Sequence, residues 1–167
     1  MAEINKVYLS WMDVDNLISC ELVPRLQTSH FDVVLAITRG GIVPGGMIAE
    51  QLGIQQILVA SVDFYKDAEH NLDWPIFMQF PSDSLLRGQE VLIVDDVWYR
   101  GREIISVTER VELASGYPTS AVLHYKPKFS QFGERAPDFY AATTDDWIIY
   151  PWEVDRSPLQ TTSTLPS

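Results

Sequence analysis

The chain has 167 residues, 46% of them hydrophobic, with 12 Lys and Arg against 23 Asp and Glu for a formal net charge of −11. That length suits one domain with a full core and is too short for two comfortable ones. The charge opposes general binding to nucleic acid or to an anionic membrane surface. No apolar run approaches the roughly 18 residues that span a bilayer, and the opening Met1-Ala2-Glu3-Ile4-Asn5-Lys6 lacks the regions of a signal peptide, so a cytoplasmic protein is expected.

In chain order, Ser10-Trp11-Met12-Asp13 is a capping-box variant that opens a helix, with Val14, Leu17, Ile18 and Leu22 on one face and Pro24 as its end. The lone Cys20 falls in this pattern and is expected as a buried small apolar residue, since it has no disulfide partner. A strand over 33–38 breaks at Arg39-Gly40-Gly41, a helix over 43–52 is closed by Gly53, and a strand over 57–62 completes a β-α-β unit. The stretch 63–88 reads as irregular, with Asp67, Glu69, His70, Asn71 and Asp73 leading into Trp74-Pro75 and Pro81-Ser82-Asp83-Ser84. Such a segment suits a lid over a ligand, with a hairpin over part of it as the alternative.

The apolar run Val91-Leu92-Ile93-Val94 then reads as a buried strand ending in Asp95-Asp96. The helix beyond it turns Ile104, Val107, Val111 and Ala114 inward and stops at Gly116. Strands over 121–125, 139–142 and 147–150 follow, and a frayed tail begins at Ser157, giving one domain over 1–156 and a flexible 157–167. Strand alternating with helix predicts an α/β fold: a mostly parallel twisted sheet with helices on both faces and ligand loops along one edge.

Chemistry concentrates at two strand ends. Neighbouring carboxylates such as Asp95 and Asp96 can accept hydrogen bonds from vicinal sugar hydroxyls or hold hydrated Mg²⁺, and the helix that follows offers free N–H groups to a phosphate. Acids after a buried strand also serve as solvated strand ends or N-caps, so the pair needs a second signal. Thr38-Arg39-Gly40-Gly41 provides it: glycines bring N–H groups close to an anion and Arg39 adds a bidentate contact. The loop is neither a P-loop nor a dinucleotide fingerprint, because no Gly-Lys-Ser/Thr and no Gly-x-Gly-x-x-Gly is present. On so acidic a chain a polyphosphate needs local cations, for which Arg39, Arg100, Arg102, Lys126 and Lys128 are candidates. His30, His70 and His124 are scattered, with no spacing suited to zinc.

With both loops in view the chain resembles the type I phosphoribosyltransferases, closest to the small bacterial xanthine-guanine and hypoxanthine enzymes. Thr38-Arg39-Gly40-Gly41 with Val43-Pro44 is similar to the family's pyrophosphate loop, and Val91 to Asp96 to the start of its phosphoribosyl pyrophosphate motif. Lys126-Pro127 falls where the family places a lysine against the exocyclic oxygen of a 6-oxopurine, and Trp147-Ile148, followed as usual by Pro151-Trp152, matches the residues that stack on and contact the base. The resemblance implies the family fold with a small C-terminal base-binding hood. It also implies transfer of a 5-phosphoribosyl group from phosphoribosyl pyrophosphate to a 6-oxopurine base with release of pyrophosphate, Mg²⁺ as cofactor, and a dimer or tetramer. Carried over, Asp95 and Asp96 are the catalytic pair, holding ribose hydroxyls and metal. Arg39, Gly40 and Gly41 bind pyrophosphate, and Lys126, Trp147 and Ile148 bind the base.

The loop after the acids departs from the pattern. Where the family reads Asp, Thr or Ser, Gly, a variable residue and Thr, this chain has Tyr99, Arg100, Gly101, Arg102 and Glu103 as its phosphoribosyl-binding positions. A neutral phenol is a far weaker proton acceptor than a carboxylate, and Glu103 puts a negative charge where a phosphate should sit. Two functions therefore stay open: an active purine phosphoribosyltransferase with an arginine-modified phosphate loop, or an impaired relative that binds a nucleotide or partner as a regulator. A receiver domain is excluded, because its paired acids would close the first strand.

Overall fold

A computed structural model of the protein describes residues 5–67 and 72–153. The apolar runs become strands β2 (Val33–Ile37), β5 (Glu90–Trp98), β6 (Tyr117–Tyr125) and β7 (Phe139–Thr143), joined by α3 (Ile42–Leu52) and α5 (Arg102–Leu113). With the ribbon β3 (Gln56–Asp67) and β4 (Leu72–Gln79) they form a six-stranded sheet in the order β4-β3-β2-β5-β6-β7, parallel except for the antiparallel β3–β4 pair. Alternate residues of the central strands feed two cores. Val34, Leu92, Val94, Ala121 and Leu123 pack with Val14, Ile18, Leu22 and Ile48 on one face, while Val33, Leu35, Val91, Ile93 and Val122 pack with Ile104, Val107 and Val111 on the other. Helices therefore cover both faces, as a parallel sheet requires.

The capping box forms in both directions: the Asp13 N–H donates to Ser10 Oγ at 3.1 Å, and the Ser10 N–H donates to Asp13 Oδ2 at 2.7 Å. The helix it opens does not stop at Pro24. It runs through α1 (Trp11–Asn16), a π-helical turn (Leu17–Leu22) and α2 (Val23–Leu26), the wider turn having its Val23 N–H on the Ile18 carbonyl. That shift in register accommodates a ring without an N–H at the first positions of α2. The same helix turns Cys20 outward to an exposed position, which corrects its expected burial.

Three further expectations are corrected. The stretch 63–88 holds the far half of β3, all of β4 and a short α4 (Asp83–Leu86), with 68–71 outside the described residues. The hairpin alternative holds. Ile104, Val107 and Val111 of α5 and its C-cap Ala114 are buried as expected, but the left-handed residue after the cap is Ser115 at φ 62° and not Gly116. The Ser115 N–H reaches the Glu112 carbonyl and the Gly116 N–H the Val111 carbonyl, so Gly116 lies one place beyond the left-handed residue. Finally, the small hood is not C-terminal alone. Strand β1 (Lys6–Tyr8) pairs in parallel with β8 (Trp147–Ile149) in a separate two-stranded sheet. The tail from Ser157 lies outside the described residues.

Candidate active site

Strand order reverses between β2 and β5: from β2 the chain crosses by α3 to β3, and from β5 it crosses by α5 to β6, on the opposite side. Such a switch point opens a crevice beyond the strand ends. Here β5 is longer than its neighbour. It pairs with β2 only as far as Val94, facing Ala36, and continues to Trp98 against β6 alone. Asp95 and Asp96 thus lie within β5, just where β2 has turned away, and not at the strand's end as the sequence suggested.

Chain from β2 returns to cover this edge. The Thr38 N–H is held by the Ala60 carbonyl, the Thr38-Arg39 peptide is cis, and Gly41 caps α3. A Cβ on Gly40 would stand 2.4 Å from the Asp96 carboxyl carbon, and one on Gly41 would stand 2.1 Å from the Val94 carbonyl oxygen. Only glycine permits this approach, and it seats the Arg39-Gly40-Gly41 loop directly on the acids. The Gly41 N–H is already donated to the Ile37 carbonyl at 2.8 Å, whereas the Gly40 N–H has no partner among the described residues. Arg39 is exposed and makes no ion pair among the described residues.

The acids are electrostatically strained. Burial, then the neighbouring Asp96 charge and more weakly that of Glu103, raises the Asp95 carboxyl well above the ordinary range. Asp96, only 8% exposed, is pushed up to about 6 by burial and by the charge of Glu153. A divalent cation would offset this repulsion. The described residues contain no group of three or more metal-ligating side chains, so such an ion would take its remaining ligands from substrate oxygens and water, as Mg²⁺ commonly does.

Three residues beyond Asp96, Tyr99 opens an aromatic slot around Lys126. Lys126 follows β6, is 5% exposed, and donates its Nζ to the Asp146 carbonyl. Its ammonium faces three rings, Tyr99 at 5.7 Å, Trp147 at 5.8 Å and Phe129 at 6.0 Å. Burial lowers the Lys126 pKa, and the charges of Asp146 and Asp145 partly oppose that. Tyr99 and Phe129 pack on each other at 5.1 Å, while Trp147 is 50% exposed. Phe129 ends a 3₁₀ turn (Pro127–Phe129) and carried no sequence signal beyond an aromatic three places after Lys126. Backbone bonds from Lys126 to the Trp98 carbonyl and from Gln131 to the Arg100 carbonyl lace this turn to the loop after the acids.

The remaining expected positions divide. Gly101 caps α5 at φ 86°, where a Cβ would strike the Trp98 indole at 2.4 Å, so both conformation and space demand glycine. Arg100 is exposed, with its guanidinium 5.7 Å from the Tyr99 ring. Arg102 lies over the Phe64 ring at 3.8 Å, which ties the loop to β3, and half-buried Glu103 contributes to the rise at Asp95. Ile148 packs half-buried against the helical core and does not join the ring cluster, and Lys128 is paired with Asp145.

Residues 22–157 match the family described as phosphoribosyl transferase domain. The xanthine-guanine phosphoribosyltransferase of Idiomarina loihiensis is 26% identical over 149 residues, covering 88% of this chain and 86% of that one. The protein of the same name from Ruegeria sp. is 29% identical over 133 residues, covering 75% and 70%. Among solved structures, the purine phosphoribosyltransferase from Pyrococcus horikoshii superposes with a TM-score of 0.78 at 32% identity, covering 89% of this chain and 95% of the other.

Proposed function

The chain belongs to the phosphoribosyltransferase family, and on that premise we propose that it transfers the 5-phosphoribosyl group of phosphoribosyl pyrophosphate to a 6-oxopurine with release of pyrophosphate. One observation carries the choice of base: the Lys126 ammonium set among Tyr99, Phe129 and Trp147. An ammonium offers three donors, one of which is taken by the Asp146 carbonyl. The others suit an exocyclic oxygen on a flat ring stacked against Trp147. A 6-aminopurine would set donor against donor, and leaving a charged hydrogen bond unmade costs about 1.5–3 kcal/mol, roughly ten- to a hundred-fold in selectivity.

The other residues position the sugar diphosphate. Arg39 and the free Gly40 N–H would bind the departing pyrophosphate, while the amino end of α5 with Arg100 would hold the 5′-phosphate. Asp95 and Asp96 would fix the ribose hydroxyls and hold Mg²⁺, which when bound neutralises charge that develops on the pyrophosphate. Bond breaking at the sugar carbon gives an oxocarbenium-like centre, and catalysis at such a centre rests on placing the purine nitrogen and the leaving group in line.

A second reading, a nucleotide-binding regulator without turnover, is favoured by one feature: the Glu103 charge beside Asp95 at the mouth of the phosphate loop. Pyrophosphate release measured with guanine, xanthine, hypoxanthine and adenine decides between them. Release with the first three and at most a trace with adenine is expected. Stabilisation by nucleotides without release from any base would establish the regulator.

A further inference from the structure

We infer that Tyr150 is a positioning residue of this site: its hydroxyl holds the Asp96 main-chain carbonyl and thereby couples the segment bearing Trp147 to the carboxylates of β5. The inference rests on the reading just given and deepens it. Tyr150 directly follows β8 and is 2% exposed. Its hydroxyl donates to the Asp96 carbonyl oxygen at 3.0 Å, and the hydroxyl oxygen itself lies 2.7 Å from His124 Nδ1. A carbonyl can only accept, so the phenol spends its one hydrogen on Asp96 and must accept from the imidazole. His124 therefore carries its proton on Nδ1, and one directed chain runs from β6 through the end of the hood to β5.

The ring is fixed from every side. Trp152 stacks on it at 4.8 Å and 5°, the His124 ring lies at 5.7 Å, and the Tyr150 N–H donates to Glu153 Oε2 at 3.0 Å. Packing alone would be served by phenylalanine, since the neighbours belong to the helical-face core. Burying a hydroxyl there is unfavourable unless it is hydrogen-bonded, and the bond it makes is to the residue whose carboxylate meets Gly40. Trp147, three residues upstream, is the exposed wall of the ring cluster. A base settling against Trp147 would thus tighten the grip on the sugar diphosphate.

The test is calorimetric binding of phosphoribosyl pyrophosphate with Mg²⁺ to the full chain, with and without 9-deazaguanine, whose carbon at the reacting position blocks transfer. Wild type should bind the sugar diphosphate about three- to ten-fold more tightly when the analogue is present, the range of one net hydrogen bond. In Tyr150→Phe that ratio should fall to near one, while affinity for the analogue alone is unchanged. Trp152→Phe, which loosens the same stack without touching the hydroxyl, should lower the melting temperature and keep the ratio. A ratio near one in wild type, a ratio preserved in Tyr150→Phe, or equal loss in both variants would overturn the inference. Absence of any binding of the sugar diphosphate by wild type would overturn the functional reading itself.

Discussion

Replacing Asp96 with asparagine separates what its charge does to the fold from what it does for a ligand. The carboxyl is buried and pushed from 3.8 up to about 6 by that burial and by Glu153. With the folded value raised, the contribution is fully favourable below the unfolded value. It is lost as pH rises from about 4 through 6, because the unfolded chain gives up its proton first. A gap of roughly two units at about 1.4 kcal/mol each leaves the apoprotein about 3 kcal/mol less stable at neutral pH than an uncharged side chain would. The amide of asparagine brings its own need for partners, which returns about 1 kcal/mol. Asp96→Asn should therefore be about 1–3 kcal/mol more stable than wild type at pH 7.5, a rise in melting temperature of roughly 3–10 °C for a chain of this size, and no more stable at pH 4. Its affinity for phosphoribosyl pyrophosphate with Mg²⁺ should fall in the same samples. Thermal unfolding at both pH values and calorimetry with the ligand test the two halves. A gain that persists at pH 4 would refute the electrostatic argument, and undiminished binding would remove Asp96 from the metal and ribose site.

Arg39→Ala should weaken pyrophosphate and the sugar diphosphate by about ten-fold or more, yet a nucleoside monophosphate far less, as measured by calorimetry; equal losses would place Arg39 elsewhere. Gly40→Ala drives a Cβ to 2.4 Å from the Asp96 carboxyl carbon, so turnover in a pyrophosphate-release assay should collapse, and full activity would show that loop and acid do not meet. Lys126→Met keeps the volume and removes the donor, so kcat/KM for guanine should drop roughly ten- to a hundred-fold while discrimination against adenine disappears. Restoring the family pattern with Tyr99→Asp, Arg100→Ser and Glu103→Thr removes the cation proposed for the 5′-phosphate, so turnover should fall; a rise of about ten-fold would mean that Glu103 repels the phosphate more than Arg100 holds it.

Much of this architecture was legible because its determinants are local. The β-branched runs at Val33 and Val91 became fully buried parallel strands, Ile104, Val107 and Val111 became the inner face of α5, and the Ser10–Asp13 box closed. What escaped depends on partners remote in sequence. On the ribbon, Trp74, Ile76 and Met78 are exposed and Pro75 interrupts the pattern, so a strand at the sheet's edge lacks the buried alternation by which strands are recognised. The hood strands β1 and β8 have only three residues each and pair across nearly the whole chain, beyond the reach of any local pattern. Of the candidate site, the signals at Asp95-Asp96 and Arg39-Gly40-Gly41 were legible, and the structure brings the two together. The ring cluster was legible only through the resemblance, and Phe129 not at all.

The altered loop was the hardest feature to read, because each unusual side chain meets a neighbour that the sequence does not announce. Tyr99 packs on Phe129 and belongs to the aromatic slot, while Arg102 lies on Phe64 and anchors the loop to the ribbon. On the proposed function, what is left to meet a phosphate is Arg100 with the backbone at Gly101, where the free N–H groups of α5 begin. On the same reading Glu103 would act on a phosphate and on a cation with opposite sign. Its charge opposes a bare phosphate, yet it adds to the potential that raises Asp95 and so draws a cation to the same place. Binding to such a loop should favour the sugar diphosphate as its Mg²⁺ complex over the free anion more strongly than a loop of hydroxyl side chains does, because only the complex converts the Glu103 repulsion into attraction.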